Sequence, residues 1–512
     1  MGVDLADIET GSAAKDPSLR DNTKQAPAEG IDVDQGFLTK LQSFTERYGV
    51  EQRGIEPVLE HERTDTTTLK LGTLWFSCNL VVSSFAIGVL AAPAFALGFV
   101  DGFLVILLFN ILGGLPVCFF STLGPKFGMR QLVLSRFYFG YYGVKLELSA
   151  AFLNALGCLG WSSVNVIVGA QLILAVDNNV PSWAAITMIG AATFVVTLFG
   201  YRAVHTYELY CWIPVFIVFV IIMGIFAHSG DFENLLLKTG IPEIAPVLSF
   251  GSAVFGFITG WTCLAADYCV YQPATVSRKK IFLVVFFGLV PSLVFTEALG
   301  LAIVTATVNN PEYAAAYRDN HVGGLLAHVL FPSLGGFGRF CLIILALSIV
   351  GNNSPNIYSF GFSLQILHSQ TQRVPRYVWS FIGSLIYVGV AIPGFLHFES
   401  VLEGFMLITG YWLAIYEAIS LGEHIVFRRG TSGYNVEDYD TPSKLPPSFA
   451  AFGAFCCGVG GVVVGMSQRW LVGPIAKKIS RSGGDIGFEL AFGFALVSFM
   501  VFRTAERSYF KR

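Results

Sequence analysis

Long runs of apolar residues alternate with short polar segments along most of the chain. A membrane-spanning helix needs about 20 apolar residues, and the sequence holds twelve runs of about that length. They lie at residues 71–98, 101–122, 145–175, 182–201, 206–228, 245–271, 280–307, 337–367, 376–394, 398–423, 447–467 and 485–503, and are named spans 1 to 12 here. A shorter apolar segment, His321–Phe331, predicts a re-entrant or surface helix between spans 7 and 8. The pattern therefore predicts an all-α polytopic membrane protein.

Composition excludes several classes of protein. The 512 residues are 54% hydrophobic and 13% charged, whereas soluble domains are about 25% charged. A water-soluble enzyme is excluded, and we find no nucleophile–base pair or cofactor motif in the sequence. The net charge of −3 gives no basic patch for a nucleic-acid partner. We therefore expect no enzyme activity and no bound cofactor, with the lipid bilayer as the surroundings.

Charge divides the chain into three parts. Residues 1–68 hold 14 acidic and 7 basic side chains, a composition typical of disorder. We expect 1–68 to be a cytoplasmic, acidic, largely disordered tail, 69–503 to be the twelve-span domain, and 504–512 to be a cytoplasmic C-terminal tail. Lys and Arg in short loops predict this orientation. One loop, between spans 11 and 12, disagrees with it, and its basic residues are Arg469, Lys477, Lys478 and Arg481.

The nine cysteines all fall within apolar runs. A disulfide framework belongs instead to small secreted domains. No pair of cysteines has metal-ligand spacing with a histidine nearby, so we expect neither disulfides nor a structural metal site.

Two spans contain helix-breaking sequences near their middle. Span 1 contains G-V-L-A-A-P from Gly88 to Pro93, and span 6 contains G-S-A-V-F-G-F-I-T-G from Gly251 to Gly260. Matching interruptions in two halves indicate an inverted-repeat transporter with its site near the midplane. The alternative is that these glycines serve close helix packing. The matched pair favours broken helices, with spans 1–5 and 6–10 as the repeats and spans 11 and 12 peripheral.

Aromatic and amide side chains are placed near the middle of four spans. Trp161 and Asn165 share one face of span 3 at i and i+4, and Trp261 follows the interruption of span 6. The remaining candidates are Asn79 and Ser84 in span 1 and Asn352 and Asn353 in span 8. Taken singly, a membrane Trp is more often an interfacial anchor and an Asn more often an interhelical hydrogen-bonding residue.

Together these side chains suit a flat, neutral, heteroaromatic ligand. Aromatic rings stack on nucleobases for about 1–3 kcal/mol each. An amide pairs with two adjacent groups on a base edge because it offers both donors and an acceptor. An amino acid would need its charges answered, and a sugar usually needs more carboxylates and amides. The candidate set therefore favours a flat heteroaromatic ring over an amino acid or a sugar.

Several longer motifs resemble one family closely. The chain is similar to the fungal purine–cytosine permeases of the nucleobase–cation symport family from about Arg53 to the C-terminus. The motifs are R-G-I-E-P-V at 53–58, W-F-S-C-N at 75–79, G-M-R-Q-L-V-L-S-R at 128–136, F-G-Y-R-A-V-H-T-Y-E at 199–208, G-W-T-C-L-A-A-D-Y at 260–268, G-N-N-S-P-N at 351–356 and G-G-D-I-G-F-E-L at 483–490.

The resemblance implies a fold, an activity and a set of site residues. The fold would be a twelve-span, five-plus-five inverted repeat of the LeuT-like kind, with helices 1 and 6 broken, in the plasma membrane. The carrier would import cytosine, adenine, guanine and hypoxanthine together with protons. The ring would be held by Trp161, Trp261, Asn165 and either Asn352 or Asn353, with Asn79 and Ser84 lining or supporting the site.

The coupling ion and the substrate class have alternatives. Sodium-coupled relatives place neighbouring hydroxyls on span 8 before the site, whereas here that stretch has only Ser348, which favours protons over sodium. A carrier for uracil, allantoin or thiamine from the same family is the alternative within transporters. A nutrient sensor that does not transport is the alternative outside them. The sequence predicts no oligomeric state.

Membrane carboxyls are the candidates for proton coupling. Glu208 begins span 5, with His205 one turn before it, and the resemblance also points to this acid; capping of the helix is the alternative role. Asp267 lies in the inner half of span 6, as a gate or a packing contact. The sequence suggests no partner for Glu297, Glu403 or Glu417.

Overall fold

A helix lies in each of the twelve predicted spans. The computed structural model describes residues 55–63, 65, 67–145, 150–199, 201–235, 240–480 and 483–511, without the side chains of 201–205, 208 and 241. Most of the predicted acidic tail therefore lies outside the described residues. The helices are Thr68–Asn79 and Val82–Leu90 in span 1, Phe99–Ser121 in span 2, Ala150–Val176 in span 3, Ser182–Leu198 in span 4, Tyr201–Ser229 in span 5, Ile241–Thr259 in span 6, Arg278–Thr305 in span 7, Gly336–Leu367 in span 8, Arg376–Gly394 in span 9, Phe398–Gly422 in span 10, Phe449–Gly465 in span 11 and Gly487–Phe510 in span 12.

Not every one of these helices is, by itself, long and apolar enough to cross a membrane. In the described part of the chain, eight helical stretches are long and apolar enough, and one of them, Arg376–Phe427, runs through both spans 9 and 10. The two helices of span 1 meet the criterion together. Spans 4 and 11 hold helices of 17 residues, about 25 Å long at 1.5 Å per residue. The eight stretches account for nine of the predicted spans, and the helices of spans 1, 4 and 11 account for the other three.

Span 1 is broken, but not where the sequence pattern suggested. Its two helices meet at an angle of 52° across Leu80 and Val81, and Val81 is extended. The expected interruption at Gly88–Pro93 is wrong, because Gly88 continues the second helix and the chain leaves that helix after Leu90. A Cβ at Gly88 would lie 1.8 Å from the carbonyl oxygen of Glu297 in span 7. This glycine therefore serves close helix packing.

Polar side chains stabilise the actual break in span 1. The Ser84 hydroxyl donates to the carbonyl oxygen of Asn79 at 2.7 Å. The Asn352 amide donates to the carbonyl oxygen of Cys78 at 2.5 Å. A helix that ends inside a membrane leaves carbonyls that need such partners. These two side chains supply them.

Span 6 is interrupted at the end of its predicted glycine-rich stretch. The helix ends at Thr259, a 3₁₀ turn follows at Thr262–Leu264, and residues 265–271 continue as turns. Gly260 lies at the break, and a Cβ there would be 3.0 Å from the Trp161 indole nitrogen. The break therefore brings the span 6 backbone against the span 3 tryptophan.

The spans pack so that the broken helices lie among others. Span 3 packs along span 8, span 1 along span 7, and span 6 lies against spans 2 and 10. Spans 11 and 12 pack mainly on each other and reach the remainder through span 10. The expected helix between spans 7 and 8 is Pro311–Leu334, kinked at Asn320 and His321, and it packs on spans 3 and 8.

The segment between spans 2 and 3 covers one end of the bundle. It forms short helices at Leu123–Phe127, Gln131–Leu134 and Arg136–Phe139. The Gln131 amide donates to the Tyr416 hydroxyl of span 10 at 2.9 Å. Arg136, which is buried, pairs with Asp440 at 2.8 Å in the loop after span 10. This end is therefore closed by side chains from both repeats.

Candidate substrate-binding site

The predicted tryptophans lie on one cavity between spans 3, 6 and 8. The residues that line this cavity are Trp161, Phe257, Gly260, Trp261, Asn352 and Asn356. Trp161 and Trp261 are 9% and 7% exposed. No lining residue carries a formal charge. A site with these walls favours a small, neutral ligand with an aromatic face and polar edges.

The ring of Trp161 is oriented by two phenylalanines. Its centroid lies 5.0 Å from that of Phe257 and 5.3 Å from that of Phe405, both in edge-to-face geometry. Such contacts stabilise aromatic pairs beyond the area that they bury. Gly260 lets the span 6 backbone approach the indole. These contacts fix the orientation of the Trp161 ring.

Trp261 is fixed by a hydrogen bond to span 1. Its indole N–H donates to the side-chain oxygen of Asn79 at 2.9 Å, and the Asn79 amide donates to the carbonyl oxygen of Trp75 at 2.8 Å. The Trp75 ring lies edge-on to Trp261 with centroids 5.6 Å apart. The two broken spans are therefore joined at the cavity. Asn79 supports Trp261 and is not itself part of the lining.

A chain of amides connects spans 1, 3 and 8. The Ser83 hydroxyl donates to the Asn165 side-chain oxygen at 2.6 Å. The Asn165 amide donates to the Asn352 side-chain oxygen at 2.8 Å. Asn352 lines the cavity, whereas Asn165 is fully buried behind it. The structure thus brings the predicted Asn165 and Asn352 together but places Asn165 in the supporting layer.

Span 8 contributes one predicted and one unpredicted residue to the lining. Asn352 and Asn356 line the cavity one helical turn apart, and Asn353 is buried outside it. The Asn356 amide lies 3.4 Å from the carbonyl oxygen of Asn352. The i, i+4 spacing within G-N-N-S-P-N could have identified Asn356, because residues at that spacing share one face. Ser84 supports the break of span 1 and does not line the cavity.

Asp267, one of the two predicted coupling acids, does not line the cavity. Asp267 is buried and accepts a hydrogen bond from the Gln131 backbone N–H at 2.7 Å. This bond ties the turns of span 6 to the segment between spans 2 and 3. Glu208 lies in the span 5 helix, and its side chain lies outside the described part of the structure. That helix begins at Tyr201, so Glu208 lies two turns inside it. It is therefore too far from the N-terminus to cap the helix.

Three further carboxyls have partners that the sequence did not reveal. Glu297 accepts from the Asn110 amide at 2.6 Å, and Glu403 pairs with Arg469 at 3.1 Å. Glu417 accepts from the hydroxyls of Thr259 and Thr262. Each partner comes from a distant part of the chain, so no local pattern indicates it.

Among the described residues, no group of three or more His, Cys, Asp or Glu side chains is placed to hold a metal ion. The hydroxyl of Ser348 donates to the carbonyl oxygen of Leu345 at 2.6 Å, within its own helix.

Comparison with known proteins gives consistent matches over nearly the whole chain. The family described as "Permease for cytosine/purines, uracil, thiamine, allantoin" matches residues 57–487. The purine-cytosine permease fcyB of Emericella nidulans is 51% identical over 97% of both chains. The purine-cytosine permease FCY2 of Saccharomyces cerevisiae is 39% identical over 99% of this chain and 98% of that one. The vitamin B6 transporter TPN1 of Saccharomyces cerevisiae is 29% identical over 92% of this chain and 90% of its own.

Solved structures confirm the predicted fold class. Mhp1, a nucleobase-cation-symport-1 family transporter in a closed conformation with bromovinylhydantoin bound, matches with a TM-score of 0.68 at 13% identity, over 90% of this chain and 96% of that one. A Na⁺-coupled sialic acid symporter matches with a TM-score of 0.54 at 15% identity, over 92% of this chain and 95% of that one. The all-α, polytopic, LeuT-like fold is therefore confirmed.

Proposed function

Because the chain belongs to the family of permeases for cytosine and purines, uracil, thiamine and allantoin, we propose that it imports cytosine, adenine, guanine and hypoxanthine by alternating access. It is a multi-pass membrane transporter and not an enzyme. The observation that carries the choice of substrate is the cavity between Trp161 and Trp261, which is aromatic, amide-lined and uncharged. The names of the relatives that are 39–51% identical support the same class.

The two tryptophans stack on the base, and span 8 reads its edge. Asn352 offers the ligand its second N–H and a remaining lone pair of its oxygen, since its first N–H donates to the Cys78 carbonyl oxygen. Asn165 orients Asn352 by donating to that side-chain oxygen. Asn79 orients Trp261, and Ser84 holds the break of span 1. Asn353 is buried and does not line the cavity. The preference for flat bases over amino acids follows from the uncharged lining, since a free carboxylate or ammonium group would enter the cavity unpaired.

Protons are the coupling ion in this proposal. Glu208 binds a proton when the carrier is open to the outside and releases it inside. Asp267 holds the closed end through the Gln131 backbone, and it is the second acid to test. The stretch of span 8 just before the site, residues 346–351, carries Ser348 as its single hydroxyl side chain, which supports protons over sodium.

The carrier works in the plasma membrane with both termini in the cytoplasm. The basic residues of the loops after spans 2, 6 and 10 support this orientation through the positive-inside bias. The closed end formed by Arg136, Asp440 and their neighbours is then the cytoplasmic one.

Uptake in cells that lack their own base carriers tests the proposal. We expect radiolabelled cytosine to accumulate and unlabelled adenine and hypoxanthine to compete, while uracil and leucine do not. Competition by uracil, allantoin or thiamine alone would assign the other substrates of the family. Leucine competition without base competition would overturn the proposal. Binding of a base without any uptake would identify a sensor.

A further inference from the structure

One buried carboxyl beside the interruption of span 6 has no role in the function proposed above. Glu417 lies in the span 10 helix and is 2% exposed. A single carboxyl oxygen of Glu417 accepts two hydrogen bonds, one from the Thr262 hydroxyl at 2.9 Å and one from the Thr259 hydroxyl. Ionisable side chains within a membrane are costly and are usually functional. The partners of Glu417 indicate what that function is.

The two threonines stand on either side of the break. Thr259 ends the helix of span 6, and Thr262 begins the 3₁₀ turn that follows. Their hydroxyls are 3.2 Å apart. Gly260 and Trp261, which lie between them in the chain, both line the cavity. A single carboxyl oxygen thus ties together the two ends of the segment that presents Trp261.

Close packing of spans 6 and 10 places the Glu417 carboxyl next to the break of span 6. A Cβ at Gly256 would lie 2.0 Å from the carbonyl oxygen of Met406, and one at Gly410 would lie 3.2 Å from the Gly256 Cα. Gly410 precedes Glu417 by about two helical turns. The backbones therefore touch just before the carboxyl, which fixes its distance from the break.

The backbone alone holds the interrupted segment weakly. Its amides donate to carbonyls three residues back, from Gly260 to Phe257 at 3.3 Å and from Trp261 to Ile258 at 3.2 Å. Hydrogen bonds of this 3₁₀ type have poorer geometry than those of an α-helix. The side-chain bonds to Glu417 therefore add a constraint where the helix supplies little.

We propose that Glu417 is a positioning residue for base binding, which holds the break of span 6 in the shape that turns the Trp261 ring towards the cavity. The inference rests on the proposed function, since it assigns Glu417 a part in holding the base. It needs an acceptor oxygen at residue 417 and hydroxyls at residues 259 and 262, and it needs no charge.

Binding of radiolabelled cytosine to the purified full-length protein, together with uptake in cells, tests this role. We expect Glu417→Ala to raise the Kd for cytosine about tenfold, because both hydroxyls lose their acceptor. Glu417→Gln keeps an acceptor and should restore Kd to within about twofold of the wild type. Thr262→Val, which keeps the side-chain shape, should raise Kd in the same direction as Glu417→Ala. In uptake, KM should rise while the maximal rate at saturating cytosine changes little.

Glu403→Ala is the matched control, because Glu403 lies on the same helix and pairs with Arg469 away from the break. It should leave the Kd for cytosine unchanged. Folded Glu417→Ala protein with the wild-type Kd would overturn the proposal, as would a Glu417→Gln protein as weak as Glu417→Ala. Should Glu417→Ala not fold, an unchanged Kd for Thr262→Val would overturn it. Failure of the proposed function looks different, since the wild type would then bind none of cytosine, adenine and hypoxanthine.

Discussion

At the scale of single residues, we expect the two tryptophans to contribute unequally to base binding. Trp161→Ala and Trp261→Ala should each weaken base binding by at least about 1 kcal/mol, the low end for stacking. Phe should be tolerated better at 161 than at 261, because only Trp261 donates to Asn79. Equilibrium binding of cytosine to the purified variants measures both effects. Trp183→Ala, at an exposed residue of span 4, is the control, and normal binding by both Ala variants would contradict the stacking arrangement.

The amides of spans 3 and 8 should behave as a coupled pair. Asn352→Ala and Asn165→Ala should each cost about 1–3 kcal/mol of binding, because polar groups are left unpaired in a dry site. Since Asn165 acts through Asn352, the double variant should lose less than the sum of the two. Competition by adenine, hypoxanthine and uracil should change with Asn352→Ala and stay unchanged with Asn353→Ala. Additive losses, equal for every base, would point to a folding role.

At the scale of the helices, hydropathy predicted where each span lies, and distant partners determined where span 1 breaks. A run of apolar residues is a local property, so the twelve spans could be located from it. The break at Leu80 and Val81 contains neither Gly nor Pro, and the carbonyls beside it are held by Ser84 and by Asn352 of span 8. Only the fold brings Asn352 there. For the same reason, the sequence could not reveal the threonine partners of Glu417.

The glycine that suggested a break in span 1 should prove to be a packing residue. Gly88→Ala places a Cβ where the carbonyl of Glu297 lies, so spans 1 and 7 must separate at a cost of about 1–3 kcal/mol. We expect a lower thermal unfolding temperature in detergent and less protein at the cell surface. Gly157→Ala in span 3, where a Cβ meets nothing within 4 Å, should have neither effect. Equal stability of the two variants would contradict this interpretation.

At the scale of the whole molecule, the cavity and the closed end are linked through span 6. Trp261 lines the cavity, and Asp267, six residues later, accepts from the backbone of Gln131 at the closed end. We expect opening of that end to break this bond and thereby to affect the segment that carries Trp261. The sequence could suggest both residues because they share one motif. It could not show that Trp261 bonds to Asn79 of span 1 while Asp267 bonds to Gln131, in the segment between spans 2 and 3.

Energy coupling is the last property to test, and it belongs to the carrier as a whole. The helix dipole stabilises a carboxylate only within about the first turn of a helix. The span 5 helix begins at Tyr201, so Glu208, two turns further on, gains little from it. Glu208 directly precedes Leu209–Ser229, a stretch long and apolar enough to cross a membrane, and ionisable side chains in membrane segments usually have functional roles. Glu208→Gln keeps the shape and the hydrogen-bonding capacity but cannot exchange a proton. In the proposed mechanism protons are a co-substrate, so wild-type uptake should fall as external pH rises. The Glu208→Gln carrier should instead show a flat pH profile and no accumulation against a gradient. Exchange of labelled for unlabelled cytosine should partly survive in this variant, since exchange needs no net proton movement. If Glu208→Gln still concentrates cytosine with normal pH dependence, the proton site lies elsewhere, and Asp267→Asn is the next variant to measure.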